Sequence, residues 1–327
     1  MKQHLKPLGR AIKYGFMKRR AERRVATGGG REPAVQRPRV AFLIGCGRSG
    51  TTVLGMVLNQ HPQVYYFFEP YHLWATIDPS IDVLNLYGHE PARFLLDEQD
   101  CADELRRRFD RLMLEPAQRL GKPLVIEKTP FNACRIGYLD ALKPGSKYVH
   151  LIRDGLDVAY SIARLSRDRT YRIAGIPALN RWWGRGASKW TALAVEGMAA
   201  GYFADEVPLL QSYESRGAYE WIVSLAEVDR WRSPLGDRLS EIRYEQLTAD
   251  ATGSIHKICD FLSLDVPAKW LGWSVRQIDA TRRNAGPPLV LPPRICREFN
   301  RLQERFGFDG RAVAGRPPDA MVRIAAN

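Results

Sequence analysis

The residues best suited to chemistry form a glycine-rich turn near the start of the chain. The segment VAFLIGCGRSGTTVL, from Val40 to Leu54, runs from one apolar stretch through GCGRSGTT, residues 45–52, into another. The turn has the glycines and final hydroxyl of the phosphate loop G-x-x-x-x-G-K-[ST], but Thr51 stands where that loop has its lysine. Backbone N–H groups and a helix N-terminus there can hold one anionic group, and Arg48 adds donors suited to phosphate oxygens. We therefore expect a single phosphate in this turn rather than the terminal phosphates of a nucleoside triphosphate.

The body of the chain, from Arg39 onward, alternates short apolar runs with amphipathic stretches. The runs that predict strands are Val40–Ile44, Val64–Phe68, Leu124–Ile126, Lys147–Ile152 and Glu241–Tyr244. Helical spacing follows the first run and continues at Gly155–Arg164 and Ser254–Leu262. This alternation predicts an α/β fold, a three-layer domain with a central parallel sheet and a P-loop-like strand-turn-helix. Ligands of such sheets lie beyond the carboxyl ends of the strands.

Residues 165–235 interrupt the alternation. They hold five of the eight tryptophans and have helical character, which predicts a helical, Trp-rich insertion or cap over the sheet. We therefore divide the chain into a basic leader and linker (1–38), one catalytic domain (39–310) and a C-terminal tail (311–327).

The net charge of +13 is concentrated at the N-terminus. Residues 1–38 carry eleven Lys and Arg against two Glu, a net charge of +9, which leaves +4 for the rest of the chain. The body is thus only mildly basic, which suits a small anionic ligand and gives little support to nucleic-acid binding. The leader spaces Leu5, Leu8, Ile12 and Phe16 as a helix would, and we weigh a surface helix on anionic lipid against a solvated tail.

The five cysteines are scattered and form no C-x-x-C pair, so neither a disulfide framework nor a zinc site is expected. No run approaches the roughly 18 apolar residues of a membrane span, and the N-terminus lacks the apolar core of a secretory signal. We expect a cytoplasmic protein, peripheral at the inner face of the membrane if the leader binds lipid.

Four segments in order resemble the motifs of sulfotransferases that use 3′-phosphoadenosine 5′-phosphosulfate (PAPS). They are RSGTT at 48–52, EKTPF at 127–131, LIRDGLDVAYS at 151–161 and RYEQL at 243–247. LNQHPQVYYFFEP, residues 58–70, resembles the carbohydrate 6-O-sulfotransferases. Tyrosylprotein sulfotransferases are also similar in the spacing of five polar residues, Arg48, Glu69, Lys128, Arg153 and Ser161. The phenol and steroid enzymes fit less well, because they have a base histidine where this chain has Pro130.

The resemblance implies a donor site with two anchoring points. Residues Arg48, Ser49, Gly50, Thr51 and Thr52 would hold the 5′-phosphosulfate. Arg153 and Ser161 would hold the 3′-phosphate, and Tyr244 would contact the adenine or the 3′-phosphate region. The basic segment TRRNAG, Thr281–Gly286, would close over the 3′-phosphate.

Sulfuryl transfer needs alignment, stabilisation of charge on the leaving oxygen and a base for the acceptor hydroxyl. Lys128, at the end of its strand, suits the leaving oxygen and would make a metal ion unnecessary. Glu69, which follows a buried strand, is the expected base, and His72 is the alternative. Trp182, Trp183 and Trp221 would line an acceptor groove or pack in a helical core.

The expected activity is thus sulfuryl transfer from PAPS to a saccharide or glycolipid hydroxyl, with no metal and no nucleic-acid partner. A tyrosine or small-molecule hydroxyl stays open as the acceptor. The competing classes are a P-loop-type kinase or NTPase, which the absent loop lysine disfavours, and a binding module for nucleotides or anionic glycans without turnover.

Overall fold

The computed structural model describes residues 5–27, 37–88, 91–168, 179–278 and 288–315. A five-stranded parallel sheet in the order β2-β3-β1-β4-β7 forms its centre, and two short two-stranded ladders lie outside it. The strands are β1 (Arg39–Ile44), β2 (Val64–Phe68), β3 (Leu124–Lys128), β4 (Lys147–Ile152), β5 (Leu179–Asn180), β6 (Gly184–Arg185), β7 (Leu239–Arg243), β8 (Val290–Leu291) and β9 (Val313–Ala314). The predicted central parallel sheet is confirmed.

Helices connect the strands and cover both faces of the sheet. They are α1 (Leu5–Ala26), α2 (Thr51–Asn59), α3 (Tyr71–Ile77), α4 (Asp103–Phe109), α5 (Glu115–Arg119), α6 (Ile136–Leu142), α7 (Gly155–Arg167), α8 (Ser188–Ala199), α9 (Tyr213–Leu235), α10 (Tyr244–Ala249), α11 (Ala251–Leu262), α12 (Ala268–Val275) and α13 (Pro293–Arg305). Tyr244 begins α10 instead of ending a strand, because the Gln246 side chain accepts the Arg243 N–H and starts the helix there.

The alternation of side chains along β1 explains the three layers. Ala41 and Leu43 pack into a cluster with residues of α2, α10, α11 and α12. Val40, Phe42 and Ile44 point the other way, into a cluster with residues of α3, α4, α6 and α9. Because both faces are covered, β1 reads as a continuous apolar run in the sequence.

The described part of the Trp-rich segment contains α8 and α9 besides the short strands β5 and β6, and α9 is part of the layer that covers the sheet. Val228 and Leu235 of α9 share a cluster with Phe42 and Tyr148 of the central strands. The same helix carries Trp221 into a second cluster with α7, α8 and α13 beyond the end of the sheet. This layer therefore positions groups near the carboxyl ends of the strands.

The C-terminal half of α1 packs against the body of the protein. Ala21 is buried where α1 contacts α3 and the segment Asp110–Leu114, and Arg24 donates a 2.9 Å hydrogen bond to the carbonyl of Arg111. Phe16, by contrast, is 64% exposed. This part of the leader is thus a docked helix with an outward face, so a frayed tail is the wrong description for residues 15–27.

Candidate active site

The glycine turn lies where β1 ends and α2 begins, at the carboxyl edge of the sheet. Gly50 precedes α2 with φ 94°, a left-handed conformation that favours glycine. A Cβ atom at Gly50 would lie 2.3 Å from the Tyr244 ring, and one at Gly47 would lie 2.1 Å from the Trp182 indole. The glycines therefore let two aromatic side chains approach the turn from different sides.

The turn also presents hydrogen-bond donors to an anion. The first N–H groups of α2 have no acceptor within the helix, and they lie at the positive end of its dipole. Ser49 and Thr51 are buried, whereas Thr52 is half-buried and lines a cavity. These features fit the single phosphate group expected there.

Arg48 links the turn to Arg153 and Ser161, the residues predicted to hold the 3′-phosphate. Its Nε donates a 3.0 Å hydrogen bond to Oγ of Ser161, and its carbonyl accepts a 3.3 Å bond from Arg153. Arg48 has φ 76°, a strained conformation for a residue with a side chain, and such strain concentrates at functional sites. Burial lowers the pKa of its guanidinium, and the positive charges of Arg153, Arg164 and Arg181 lower it further. The concentration of positive charge calls for an anionic ligand.

Arg153, just after β4, joins the remaining donor-site residues. It pairs with Asp157 at 2.7 Å and lies 4.6 Å above the centre of the Tyr244 ring. Trp221 is fully buried and donates a 3.0 Å hydrogen bond to the Arg153 carbonyl. The structure thus brings Arg48, Arg153, Ser161 and Tyr244 together at the turn.

Glu69 and Lys128 form an ion pair beside the same turn. Lys128 Nζ donates to Glu69 Oε1 at 2.5 Å and to Thr52 Oγ1 at 3.3 Å. The other Glu69 oxygen accepts a 2.9 Å bond from the Tyr71 hydroxyl. Lys128 is buried, and Glu69 has φ 44°, a second strained position. A carboxylate and an ammonium are therefore held within one hydrogen bond of each other next to a phosphate-binding turn.

Sequence reasoning missed Glu127, which precedes Lys128 on β3. It is fully buried and accepts hydrogen bonds of 2.8, 2.6 and 2.6 Å from Trp74, Thr129 and Asn132. Burial raises the pKa of Glu127 to about 7, although the bonds from Thr129 and Trp74 oppose the rise. The carboxylate ties β3 to the 3₁₀ turn Pro130–Cys134, which fixes the strand end that carries Lys128.

A cavity of about 260 Å³ opens beside Glu69. It is lined by Arg48, Thr52, Glu69, Tyr71 and Trp182 among others. Trp182 is half-buried and forms one wall, so one of the three expected tryptophans lines the cavity.

The other two tryptophans do not line the cavity. Trp183 and Trp221 are fully buried in the core, because Trp183 packs against Trp190 of α8 and Trp221 lies on α9, which belongs to the packed layer of the domain. His72 lies on α3 and is not among the residues that line this cavity; burial lowers its pKa to about 4.

The remaining expectations concern a basic segment, a metal site and a membrane-spanning helix. The TRRNAG segment lies outside the described residues. Within the residues that the structure describes, no group of three or more His, Cys, Asp or Glu could hold a metal ion. None of the described helices is long and apolar enough to cross a membrane.

Comparison with known proteins shows which proteins have similar sequences. A family model described as the sulfotransferase family matches residues 39–268. The nodulation protein NoeE of Sinorhizobium fredii is 30% identical over 135 residues, which cover 38% of this chain and 31% of that protein. Human protein-tyrosine sulfotransferase 1 is 30% identical over 139 residues, which cover 41% of this chain and 35% of that protein. The chain therefore spans about a third of the length of these two relatives, and 16% of a similar Aquifex aeolicus protein.

The fold has a counterpart among solved structures. The sulfotransferase domain from the curacin biosynthetic pathway matches with a TM-score of 0.50 over 84% of this chain and 99% of that one. At 15% sequence identity this likeness shows the fold alone. It agrees with the central parallel sheet flanked by helices.

Proposed function

The chain belongs to the sulfotransferase family, and from this premise we propose that it transfers a sulfuryl group from PAPS to a carbohydrate or glycolipid hydroxyl. The observation that carries the proposal is the Glu69–Lys128 pair, whose carboxylate lines one cavity with Arg48 and Thr52 of a phosphate turn without the P-loop lysine. The pair supplies a proton acceptor and a cation at the place where a phosphate-linked group would be held.

The donor has two phosphate-bearing ends, and the described residues offer two places for them. The 5′-phosphosulfate suits the turn and the N-terminus of α2. The 3′-phosphate suits Arg153 and Ser161, which Arg48 links to the turn. Tyr244 lies between Gly50 and Arg153, where a planar base or ribose could rest against it.

In this proposal the acceptor oxygen forms a bond to sulfur while the bond from sulfur to the phosphate oxygen breaks. The proton of the acceptor hydroxyl passes to the Glu69 carboxylate, and the charge left on the phosphate oxygen is stabilised by the Lys128 ammonium. Lys128 must leave Glu69 to reach that oxygen. Donor binding would thereby free the carboxylate to accept the proton.

The acceptor class rests on the resemblance of residues 58–70 to carbohydrate 6-O-sulfotransferases. A tyrosine acceptor is the second candidate, because relatives that align with this chain are named protein-tyrosine sulfotransferases.

We further propose that α1 attaches the protein to an anionic membrane. Phe16, Arg19, Arg20 and Arg23 are exposed, and at about 100° per residue they share one side of the helix, opposite buried Ala21. An exposed aromatic ring among cations suits a helix that lies in the lipid interface.

Calorimetry tests the donor assignment. We expect 3′-phosphoadenosine 5′-phosphate (PAP) to bind more tightly than ATP with Mg²⁺, since the two phosphates are held by separate groups and the loop lysine is absent. Tighter binding of ATP with Mg²⁺ would favour a kinase or NTPase instead.

A further inference from the structure

Trp182 is fixed by hydrogen bonds and by a packing contact with other parts of the fold. It lies in the turn between β5 and β6, where the Asn180 side chain accepts its backbone N–H at 2.9 Å. Its indole N–H donates a 2.8 Å hydrogen bond to Glu220 of α9. Another edge of the same ring lies against Gly47 of the phosphate turn. Two edges of the indole are thus fixed by separate parts of the fold.

A buried ion pair completes the support. Lys189 of α8 and Glu220 are almost fully buried and 2.6 Å apart, and Lys189 Nζ lies 3.9 Å from the centre of the Trp182 ring. Burying two charges is costly, and an apolar pair would often be as stable. Here both charges also touch the indole: the carboxylate accepts its N–H and the ammonium lies over its face. The pair therefore orients Trp182.

The held indole is a wall of the cavity that contains Glu69. The half-buried ring borders a space of about 260 Å³ that is also lined by Arg48 and by Lys189. The flat faces of sugar and phenol rings pack well on an aromatic side chain.

We propose that Trp182 is the acceptor platform, against which a ring bearing the reacting hydroxyl lies, and that Lys189 and Glu220 are positioning residues that set its orientation. This inference rests on the proposed function, because it assigns the cavity to the acceptor. It predicts that acceptor affinity depends on Trp182 while donor affinity does not.

The first test compares Trp182→Ala with Trp190→Phe. Trp190 is a half-buried tryptophan on α8 that is not among the residues lining the cavity, so it serves as the control. The ligands are 4-nitrophenol and 4-nitrophenyl β-glucoside, measured by equilibrium binding in the presence of PAP. Trp182→Ala should weaken ring binding by about tenfold to a hundredfold and change PAP affinity by less than about twofold, whereas Trp190→Phe should change neither.

The second test isolates the positioning residues with two double variants. Both Lys189→Met/Glu220→Gln and Lys189→Met/Glu220→Met remove the buried charges together, which avoids leaving one charge unpaired. Only the first keeps an oxygen that can accept the indole N–H. Lys189 also lines the cavity, and its replacement is common to both variants, so the two are compared with each other. The Met variant should have an acceptor KM about tenfold above that of the Gln variant, with little difference in kcat.

The outcomes separate this inference from the proposed function. The platform is contradicted if Trp182→Ala binds the nitrophenyl ligands as tightly as the wild-type protein does, or if it loses PAP affinity to the same extent. Either result holds whether or not the protein transfers sulfate. Equal acceptor KM values in the two double variants contradict the positioning role. Wild-type protein that binds the ring but transfers no sulfate contradicts the proposed function, while a loss of ring binding in Trp182→Ala would still support the platform.

Discussion

Glu69 and Lys128 are joined by one hydrogen bond between their main chains and one between their side chains. The Glu69 N–H donates a 2.8 Å bond to the Lys128 carbonyl, and the Lys128 ammonium donates a 2.5 Å bond to the Glu69 carboxylate. The pairing of β2 with β3 ends at this point, with Phe68 opposite Lys128. The sheet itself therefore places the expected base beside the expected leaving-group cation.

Glu69→Gln tests the base. Glutamine keeps the shape and can accept a hydrogen bond from Lys128, but it cannot take the proton of the acceptor. Turnover should fall by about 10²–10⁴, the usual contribution of a positioned base, while PAP affinity measured by calorimetry stays nearly constant.

An acceptor with a more acidic hydroxyl serves as the control for this assignment. It should partly restore turnover in Glu69→Gln, since less proton removal is needed, and should do little for Lys128→Ala, where the leaving oxygen lacks its cation. Near-normal turnover in Glu69→Gln together with an inactive His72→Ala would make His72 the base.

Arg48→Ala and Arg153→Ala test the donor site. Each should weaken PAP binding by about 1.5–3 kcal/mol, the scale of a charge-assisted hydrogen bond. Arg167→Ala is the matched control, because this arginine lies on α7 but pairs with Glu214 at the exposed surface. Calorimetric affinity that is the same in Arg153→Ala and Arg167→Ala would remove Arg153 from the site.

Glu127 predicts a pH-dependent stability. Its folded pKa of about 7 exceeds its ordinary value of 4.5, so the folded state binds the proton more strongly than the unfolded chain does. The contribution of Glu127 to the unfolding free energy is therefore full below pH 4.5 and is lost as the pH rises through 7.

Urea unfolding at pH 4.5 and pH 8 measures this effect. Between pH 4.5 and pH 8 the unfolding free energy of the wild-type protein should fall by about 3 kcal/mol more than that of Glu127→Gln. The other titrating groups are common to both proteins, so their effects cancel in this difference. Equal losses would show that Glu127 titrates alike in the folded and unfolded states.

The outward face of α1 predicts binding to phosphatidylserine vesicles. The variant Arg19→Gln/Arg20→Gln/Arg23→Gln should bind about a hundredfold less tightly, since each cation near an anionic surface contributes about 1 kcal/mol. Added salt should weaken binding of the wild-type protein.

A variant of equal net charge on α13 provides the control for α1. It replaces Arg294, Arg297 and Arg301 with glutamine. Equal vesicle binding by the two triple variants would mean that general charge, and not this face of α1, attracts the membrane.

Four strands of the central sheet were predictable because each is a short apolar run, whereas β7 begins two residues earlier and ends one residue earlier than the predicted Glu241–Tyr244. Val64–Phe68 and Lys147–Ile152 have the predicted bounds, and burial on both faces of the sheet is what makes such runs continuous. The turn and the strand-end residues Glu69, Lys128 and Arg153 were predictable too, since parallel strands bring their carboxyl ends to one edge.

What escaped prediction depends on contacts between distant segments. Lys189 and Glu220 lie on different helices, and nothing local indicates that both are buried around Trp182. Glu127 looks like an ordinary neighbour of Lys128, and its buried hydrogen bonds come from separate segments, with Trp74 on α3 and Asn132 in the turn after β3. The docking of Ala21 likewise depends on α3 and the segment Asp110–Leu114.

Transfer of labelled sulfate from PAPS is the most direct measurement of the central claim. The purified protein, treated with EDTA, is incubated with labelled PAPS and a panel of glycans, glycolipids and tyrosine peptides. We expect label to appear in a saccharide or glycolipid acceptor with an equal amount of PAP, because Lys128 and the backbone donors supply the positive charge. No transfer from PAPS to any acceptor, with phosphate transfer from ATP that depends on Mg²⁺, would contradict the account.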